Sequence, residues 1–283
     1  MSATVNRLRQ RAVNELKALQ QAPRALSRRV YFVAGITDEN GSSAWGDPDT
    51  TTDCLRLWVP RCLGNAASRV TWVSFCSDAA GKQPLEYQSF VEFGADLARR
   101  IHADIDGTQD EIDLVCHSMG GLDAAAAIAL MDVYAHTYDV PPIRGVRNII
   151  TYDTPFRGSI NAGSAFFNAI KRYQGRGQAT IIAQGVAMEP GSESIGALQA
   201  QRDHFLRNVH AFWPRGAADH GGLLEVTHES AAFDYAVNFS PEWRTRYKDY
   251  VYYSATEHAG PTGVTRDPRA ILDTLRILLG DTT

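Results

Sequence analysis

The spacing of apolar residues along this chain changes repeatedly between two patterns, and this predicts strands separated by helices. Short apolar runs rich in β-branched and aromatic residues predict strands. In chain order these runs cover 29–34, 70–75, 112–116, 146–152, 209–213 and 250–254. Apolar residues at helical spacing predict helices over 5–20, 53–63, 87–105, 122–131 and 268–279, with another near Ser230. Such alternation favours an α/β fold with a mainly parallel sheet of about six strands and helices on both faces.

The composition narrows the classes of function. The chain has 283 residues, 44% hydrophobic and 21% charged, which suits a single domain over 1–283. With 28 basic and 32 acidic residues its formal net charge is −4, and no dense basic stripe points to a nucleic-acid partner. No apolar run reaches the length of a membrane span. No Cys/His cluster has metal-site spacing, so we expect no metal. Nothing in the sequence implies an organic cofactor either.

Ser118 lies where a predicted strand is followed by a predicted helix. The strand over 112–116 leads into His-Ser-Met-Gly-Gly (117–121), and an alanine-rich stretch that favours a helix begins at Leu122. A serine on so sharp a turn has its hydroxyl held clear of the backbone. The N–H groups and the dipole at the start of a helix stabilise negative charge beside it. These are properties that an acyl-transfer nucleophile needs.

The segment 112–125 resembles the nucleophile elbow, G-x-S-x-G, of the α/β-hydrolase family, and its sequence is similar to that of the lipase and esterase branch. Cys116 stands where the family has its first glycine, at a point where strand and helix approach closely. We interpret Cys116 as a small buried residue and not as an alternative nucleophile. The resemblance implies an α/β-hydrolase fold and a triad in the chain order serine, acid, histidine.

The resemblance also implies an oxyanion hole made of backbone N–H groups. One donor is expected at Met119, directly after the nucleophile. The other is expected at Ile36 in the loop after the first strand, with Thr37 as the neighbouring alternative. Family members often have His-Gly in that loop, and this chain has Ala34-Gly35. A change of side chain is compatible with the role, because backbone atoms are the donors.

His258 is the predicted base among eight histidines. It follows a predicted strand, lies in a loop and precedes the terminal helix, and the end of lipase-like hydrolases carries the base at this place. His117 is expected to pack beside the nucleophile, whereas His102 and His136 lie in predicted helices away from the strand ends. Four further histidines stay open as bases: His204, His210, His220 and His228.

Asp219 is the predicted acid, which would hold the imidazole in one tautomer and offset its positive charge. It follows the fifth predicted strand, and the stretch after it resembles the family's segment of acid, glycine and aliphatic residues. His220 is an extra residue between Asp219 and the glycines, so the register is open here. Glu225 and Asp153 are the alternatives. Asp153 ends the fourth strand, where some lipases carry their acid, and is also a typical turn residue before Pro155.

Residues 156–207 interrupt the alternation of strands and helices. A long insertion between two sheet strands near a reaction centre predicts a cap or lid. Phe166 and Phe167 within it could line an acyl pocket, and packing of the cap on the main domain is the alternative.

The sequence thus predicts a serine hydrolase that cleaves carboxylic esters of small molecules or lipids through an acyl-enzyme on Ser118. An acyltransferase using the same acyl-enzyme is the nearest alternative, and a non-catalytic binding protein on the same fold is the second. Cys116 and Ala34 favour the binding protein, whereas Ser118, His258 and a nearby acid disfavour it. A peptidase is compatible with the fold, but nothing in the sequence points to a peptide pocket.

The beginning of the chain and its cysteines bear on the compartment. The first 26 residues carry charges throughout and lack the apolar core of a secretory signal, which favours a cytoplasmic location and leaves export of a processed form open. Cys54 and Cys62 have seven residues between them and could pair in an exported protein. Without export, four reduced thiols are expected.

Overall fold

Helices and strands alternate along the described part of the chain. This computed structural model describes residues 3–35, 45–47, 49, 53–73, 89–105, 110–156, 158, 186–189, 191–205, 209–214, 248–252, 255 and 263–281. The strands are β1 (Arg29–Val33), β2 (Val70–Val73), β3 (Ile112–His117), β4 (Val146–Tyr152), β5 (Val209–Pro214) and β6 (Lys248–Tyr252). The helices are α1 (Ala3–Gln21), α2 (Leu55–Cys62), α3 (Ala66–Arg69), α4 (Phe90–Ile105), α5 (Met119–Ala129), α6 (Ala135–Tyr138), α7 (Glu193–Ala200), α8 (Arg202–Phe205) and α9 (Pro268–Leu279).

These strands form one sheet in the order β2-β1-β3-β4-β5-β6, and every neighbouring pair is parallel. The prediction of about six mainly parallel strands is confirmed. From β1 the chain adds β2 on one side and then β3 to β6 on the other, so the direction of winding reverses between β1 and β3. In open α/β sheets, ligands bind beyond the carboxyl ends of the strands at such a reversal. Ser118 directly follows β3 and therefore lies at this place.

Helices cover both faces of the sheet. Successive residues of a strand point to opposite sides, so each strand contributes side chains to two separate cores. On one face, Leu114 and Cys116 of β3 pack in a core with residues of α4 and α5. On the other face, Val115 packs in a core with residues of α1, α2 and α9. All six residues of β3 are buried. A strand buried on both faces has apolar residues on both sides, as is typical of a parallel sheet between two helical layers.

The last helix covers the residues over which the sequence predicts it. Helix α9 begins at Pro268 after Asp267, whose carboxylate accepts a hydrogen bond of 2.9 Å from the N–H of Arg269. Proline at the first helical position and an acidic cap are both typical of a helix start. Gly280 ends the helix with a φ of 78°. The predicted helices over 5–20, 53–63 and 87–105 are likewise confirmed by α1, α2 and α4.

Helix α5 begins three residues before its predicted start at Leu122. The sequence disfavoured a helix over Gly120 and Gly121, because glycine has a low helix propensity. In the structure both glycines lie in the first turn of α5, where tertiary contacts require residues without a Cβ. Packing therefore overrides propensity at this helix start.

Part of the predicted insertion over 156–207 packs on the main domain. Ile195 and Leu198 of α7 and Phe205 of α8 are buried in the core that contains α5. The rings of Phe156 and Phe205 lie 5.3 Å apart. Most of the insertion, including Phe166 and Phe167, falls outside the described residues, and its role as a cap stays a prediction. The helix predicted near Ser230 also falls outside them.

Three cysteines of the described chain are buried free thiols: Cys54, Cys62 and Cys116. Cys54 and Cys62 are thus unpaired in this structure. Within the described ranges, no group of His, Cys, Asp and Glu side chains could hold a metal ion. None of the helices in those ranges is long and apolar enough to cross a membrane.

Candidate active site

Ser118 has a backbone conformation that side-chain-bearing residues rarely adopt. Its φ is 55° and its ψ is −128°, and it is the N-cap of α5. A non-glycine residue held at positive φ costs of order 1–3 kcal/mol and persists only where the surrounding structure enforces it. Such strain concentrates at functional sites. Ser118 is 2% exposed, so this strained turn lies within the packed body of the protein.

Two glycines bring β1 against this turn. A Cβ on Gly120 would lie 2.4 Å from the carbonyl oxygen of Val33 and 2.7 Å from that of Ala34. A Cβ on Gly35 would lie 2.8 Å from the Cβ of Ser118. Real Cβ atoms do not approach other atoms so closely, so both positions require glycine. The chain leaving β1 therefore begins beside Ser118.

Met119 is placed as the first residue of α5 and is 2% exposed. The N–H groups of the first turn of an α-helix have no intrahelical acceptor, and the helix dipole adds partial positive charge there. Met119 therefore has its N–H at the start of a helix, and its role as an oxyanion donor stays a prediction. Ile36, the second predicted donor, lies outside the described residues, as does its alternative Thr37.

Cys116 is fully buried on the face of the sheet that α4 and α5 cover. Burial, with a smaller contribution from the carboxyl group of Asp123, raises the pKa of its thiol well above the ordinary value. A thiol that stays protonated in the core is a poor nucleophile. This supports the interpretation of Cys116 as a small packing residue that the elbow accommodates in place of glycine.

Asp153, an alternative acid, lies at the carboxyl end of β4 next to Ser118. It is fully buried and has a φ of 52°, a second positive value for a residue with a side chain. Its N–H donates a hydrogen bond of 2.9 Å to the carbonyl oxygen of Phe212 in β5. Asp153 therefore lies at the same edge of the sheet as the serine, and it stays an alternative to Asp219.

The predicted partners of Ser118 fall outside the described residues, namely His258, Asp219 and the alternative acid Glu225. The elements around them are described. β6 ends at Tyr252 and α9 begins at Pro268, so His258 belongs to the connection between them. β5 ends at Pro214, five residues before Asp219. Both connections leave the carboxyl ends of parallel strands, which all meet at the edge that carries Ser118.

Several of the other histidines now have assigned places. The ring of His210 lies within β5, 3.3 Å from the hydroxyl of Tyr250, and His204 lies in the short helix α8. His102 contacts the carbonyl oxygen of Pro141 at 2.9 Å on the surface of α4. His136 lies in α6. His220 and His228 are outside the described residues.

An aromatic group that the sequence analysis missed surrounds His117. The ring of Trp45, which is fully buried, lies 6.1 Å from the rings of both His117 and Tyr152 and 5.5 Å from that of Phe32. This packing role for His117 is the one expected. Trp45 belongs to the segment between β1 and α2, and no sequence pattern marks it, since a lone tryptophan among polar residues is equally compatible with an exposed loop.

Two polar residues next to the elbow were also missed. Thr154, two residues beyond β4, is fully buried and donates a hydrogen bond of 2.9 Å from Oγ1 to the carbonyl oxygen of Ser118. Asp123, in the second turn of α5, is fully buried, and burial raises its pKa well above the ordinary value. Neither of its carboxyl oxygens has a hydrogen-bond partner in the described part of the protein. Thr154 could have been found from the sequence, because it follows the fourth predicted strand and so lies near the edge of the sheet that carries Ser118.

No protein-family model and no curated protein sequence matches this chain. Solved structures do match it. The mature form of the lipase BlEst2 from Bacillus licheniformis has 15% identity and a TM-score of 0.50, and the match covers 91% of this chain and 94% of that one. The propeptide form of that lipase has 16% identity and a TM-score of 0.50, with 92% of this chain and 52% of that one covered. An esterase from Pyrococcus furiosus has 11% identity and a TM-score of 0.49, with 90% and 82% covered.

At such low identity the likeness to the Bacillus licheniformis lipase bears on architecture alone. In this chain that architecture consists of six parallel strands with helices on both faces of the sheet. On this evidence the chain has the α/β-hydrolase fold, as its sequence predicted.

Proposed function

We propose that this protein is a serine hydrolase that cleaves carboxylic esters, with Ser118 as the nucleophile. The observation that carries the proposal is the backbone of Ser118, which has a φ of 55° at the carboxyl end of β3 and the start of α5. This strain costs free energy of folding, and it lies at the edge of the sheet where ligands bind in this fold, which supports a functional role for the serine.

In the proposed first step, Oγ of Ser118 attacks the ester carbonyl carbon while His258 removes the hydroxyl proton. The electron pair of the carbonyl π bond moves to the oxygen, giving a tetrahedral oxyanion. The N–H groups of Met119 and Ile36 stabilise that charge. Collapse of this intermediate breaks the bond to the alcohol, which leaves with the proton held by His258, and the acyl group stays on Ser118.

In the second step, water replaces the alcohol. His258 takes a proton from the water as its oxygen attacks the acyl carbon, and a second oxyanion forms in the same place. Its collapse releases the carboxylic acid and returns the proton to Ser118. Asp219 holds the imidazole in one tautomer and offsets its positive charge in both steps. Phe166 and Phe167 are proposed to line the pocket for the acyl chain.

Three features support the proposal beside the backbone strain. The start of α5 has free N–H groups that favour negative charge beside Ser118, and Gly35, the residue before Ile36, lies against Ser118. Cys116 fits the elbow as a buried residue, which removes one of the two sequence departures that favoured a non-catalytic protein. The two solved structures with a TM-score of 0.50 are the mature and propeptide forms of a lipase.

A fluorophosphonate probe tests the nucleophile. We expect the wild-type protein to be labelled on Ser118, as located by peptide mass spectrometry, and Ser118→Ala and His258→Ala to lose labelling and at least ~10³-fold of kcat on p-nitrophenyl esters. Ser68→Ala and His102→Ala are matched controls, because both residues lie on other helices away from this edge, and these variants should behave like the wild type. Labelling that persists in Ser118→Ala would overturn the assignment.

The acid is tested by comparing three variants in the same assay: Asp219→Asn, Asp153→Asn and Glu225→Gln. Loss of the acid costs on the order of 10⁴-fold in kcat, because the imidazole is then held in the wrong tautomer. We expect that loss in Asp219→Asn. If Asp219→Asn keeps its kcat while Asp153→Asn loses it, the acid is Asp153.

A further inference from the structure

The backbone of Ser118 is held on both sides by one neighbouring segment, residues 152–154. The N–H of Ser118 donates a hydrogen bond of 2.9 Å to the carbonyl oxygen of Tyr152. The carbonyl oxygen of Ser118 accepts one of 2.9 Å from Oγ1 of Thr154. These two groups flank φ and ψ of Ser118, the soft dihedrals of its backbone. Fixing both groups against one segment therefore fixes the conformation that presents Oγ.

The hydrogen bond from Thr154 comes from outside the turn. The carbonyl oxygen of Ser118 also accepts a hydrogen bond of 3.1 Å from the N–H of Gly121, which belongs to the first turn of α5. A carbonyl oxygen has two lone pairs, so both bonds can form together. The bond within the turn moves with the turn. The bond from Thr154 ties the turn to β4, and it alone of the two resists a rotation of the whole elbow.

The side chain of Thr154 is packed as well as hydrogen-bonded. It is fully buried, and a Cβ on Gly121 would lie 2.2 Å from its Oγ1 and 2.5 Å from its Cγ2. Thr154 thus lies directly against the first turn of α5. Valine has almost the same shape as threonine and could fill this space, but it has no hydrogen to donate. The two contributions of Thr154 are therefore separable by substitution.

The segment that carries Thr154 is itself anchored. Asp153, with a φ of 52°, donates its N–H to the carbonyl oxygen of Phe212 in β5 at 2.9 Å. Asp153, with its strained backbone, lies between the end of β4 and Thr154, whose hydroxyl reaches the carbonyl group of Ser118. Two strained residues in adjacent connections are thus joined by hydrogen bonds that run across three parallel strands.

We propose that Thr154 is a positioning residue for the nucleophile. Its hydroxyl holds the carbonyl group of Ser118 and so maintains the positive φ that presents Oγ for attack. The inference rests on the proposed function, because it takes Ser118 to be the nucleophile. The structural half of it, that the hydroxyl of Thr154 holds this turn in place, can be measured without any catalysis.

The test compares Thr154→Val, which removes the donor and keeps the shape, with Thr154→Ser, which keeps the donor. Thr151→Val is the matched control. Thr151 is likewise fully buried and lies on β4, three residues before Thr154, but its hydroxyl has no hydrogen-bond partner in the described ranges. Melting temperatures are recorded for every variant, and Thr154→Ala provides a second variant without the donor in case Thr154→Val does not fold.

We expect Thr154→Val to lower kcat on p-nitrophenyl butyrate by roughly ten- to a hundredfold with KM within about twofold, because a misplaced nucleophile binds substrate but reacts slowly. Thr154→Ser should recover kcat to within about threefold, and Thr151→Val should stay within about twofold of the wild type. Backbone amides of residues 118–124 should exchange with deuterium about tenfold faster in Thr154→Val, and unchanged in Thr151→Val, because the buried carbonyl of Ser118 loses a partner.

The proposal is overturned if Thr154→Val keeps the kcat of Thr151→Val, or if Thr154→Ser falls as far as Thr154→Val. A wild-type protein that hydrolyses no ester and takes no fluorophosphonate on Ser118 would instead refute the proposed function. In that case amide exchange still decides the structural half: faster exchange at 118–124 in Thr154→Val supports it, and unchanged exchange overturns it.

Discussion

Two buried helix starts in this protein use an N-cap residue in opposite ways. At the start of α9, Asp267 has an ordinary φ of −79° and its side chain accepts a hydrogen bond from the N–H of Arg269. At the start of α5, Ser118 has a φ of 55° and its side chain makes no capping hydrogen bond. Both residues belong to the types that cap helices well. The side chain of Asp267 stabilises its helix start, whereas the side chain of Ser118 does not cap α5, which fits the proposed role of its hydroxyl as a nucleophile.

The two helices also differ in whether their acidic side chains have hydrogen-bond partners. Asp273 of α9 accepts a hydrogen bond of 2.9 Å from the hydroxyl of Tyr252. Asp123 of α5 is fully buried, and within the described chain neither of its carboxyl oxygens has a hydrogen-bond partner. Helix α5 therefore combines a strained N-cap with a buried acid in its second turn. Backbone strain of this kind is typical of functional sites, which is consistent with the function proposed for Ser118.

The largest effect is expected from Ser118→Gly, which breaks the contrast at the cap itself. Glycine adopts positive φ without strain, so the free energy of unfolding should rise by about 1 kcal/mol after the higher entropy of the unfolded glycine chain is subtracted. At the same time kcat should fall at least ~10³-fold. Urea unfolding and ester hydrolysis measure the two. Ser118→Ala is the control, since it loses the hydroxyl without relief of strain; equal stability of both variants would contradict this account.

The next effect is expected from Gly120→Ala in the first turn of α5. The added methyl group would lie 2.4 Å from the carbonyl oxygen of Val33, so β1 and α5 must separate. We expect a loss of about 3 kcal/mol or more in the free energy of unfolding. Gly196→Ala in α7 is the matched control, because a Cβ there meets no atom within 4 Å. That variant should gain about 0.5–1 kcal/mol, since alanine favours a helix. A mild effect of Gly120→Ala would show that β1 does not abut the elbow.

A dependence of stability on pH is expected from Asp123. Burial raises its pKa well above the ordinary value, so the folded protein favours the neutral acid. The stabilisation is complete below the pKa of an unfolded aspartate, about 3.9, and is lost as the pH rises through the folded pKa. Unfolding measured from about pH 4 to about pH 8 should therefore show the wild type losing stability relative to Asp123→Asn.

The control for this pH dependence is Asp132→Asn. Its carboxylate is 72% exposed and pairs with Arg144 at 3.2 Å on the surface. Exposed ion pairs contribute little to stability, so this variant should follow the wild type across the same range. If the free energies of unfolding of the wild type and Asp123→Asn change in parallel with pH, the pKa of Asp123 is not raised in the folded protein.

The smallest effect is expected at the conventional helix start. Asp267→Ala removes the capping bond to the N–H of Arg269 and should cost about 1 kcal/mol in the free energy of unfolding. Asp267→Asn, which can still cap, should restore most of that loss. No loss in Asp267→Ala would mean that water or another group satisfies the first turn of α9 equally well, and would remove the contrast with Ser118.

Much of the fold could be predicted because its signals are local. Apolar runs predict β1, β3 and β4, and the pair Asp267-Pro268 predicts the start of α9. The strand-turn-helix around Ser118 is local in the same sense. The start of α5 was predicted three residues late, because propensity describes Gly120 and Gly121 in isolation and says nothing of the neighbours that require them.

The residues that the sequence analysis missed share one property, which is that distant parts of the chain give them their roles. Thr154 contacts a carbonyl group 36 residues earlier. Trp45 packs on His117 and Tyr152, which lie on two different strands. Asp123 is marked by burial alone, since an aspartate in a helix is usually exposed. His258 and Asp219 remain predictions that the experiments above address, and Ile36, Phe166 and Phe167 remain predictions as well.

The sequence by itself determined the succession of strands and helices, the sharp turn that carries Ser118 and the cap of α9, because hydrogen bonds and side-chain spacing within a few residues decide these features. Only the tertiary structure decided that Gly35 and Gly120 must lack side chains, that Thr154 holds the backbone of Ser118 and that Asp123 is buried. These features depend on the order of strands in the sheet, which brings segments far apart in the chain to one edge.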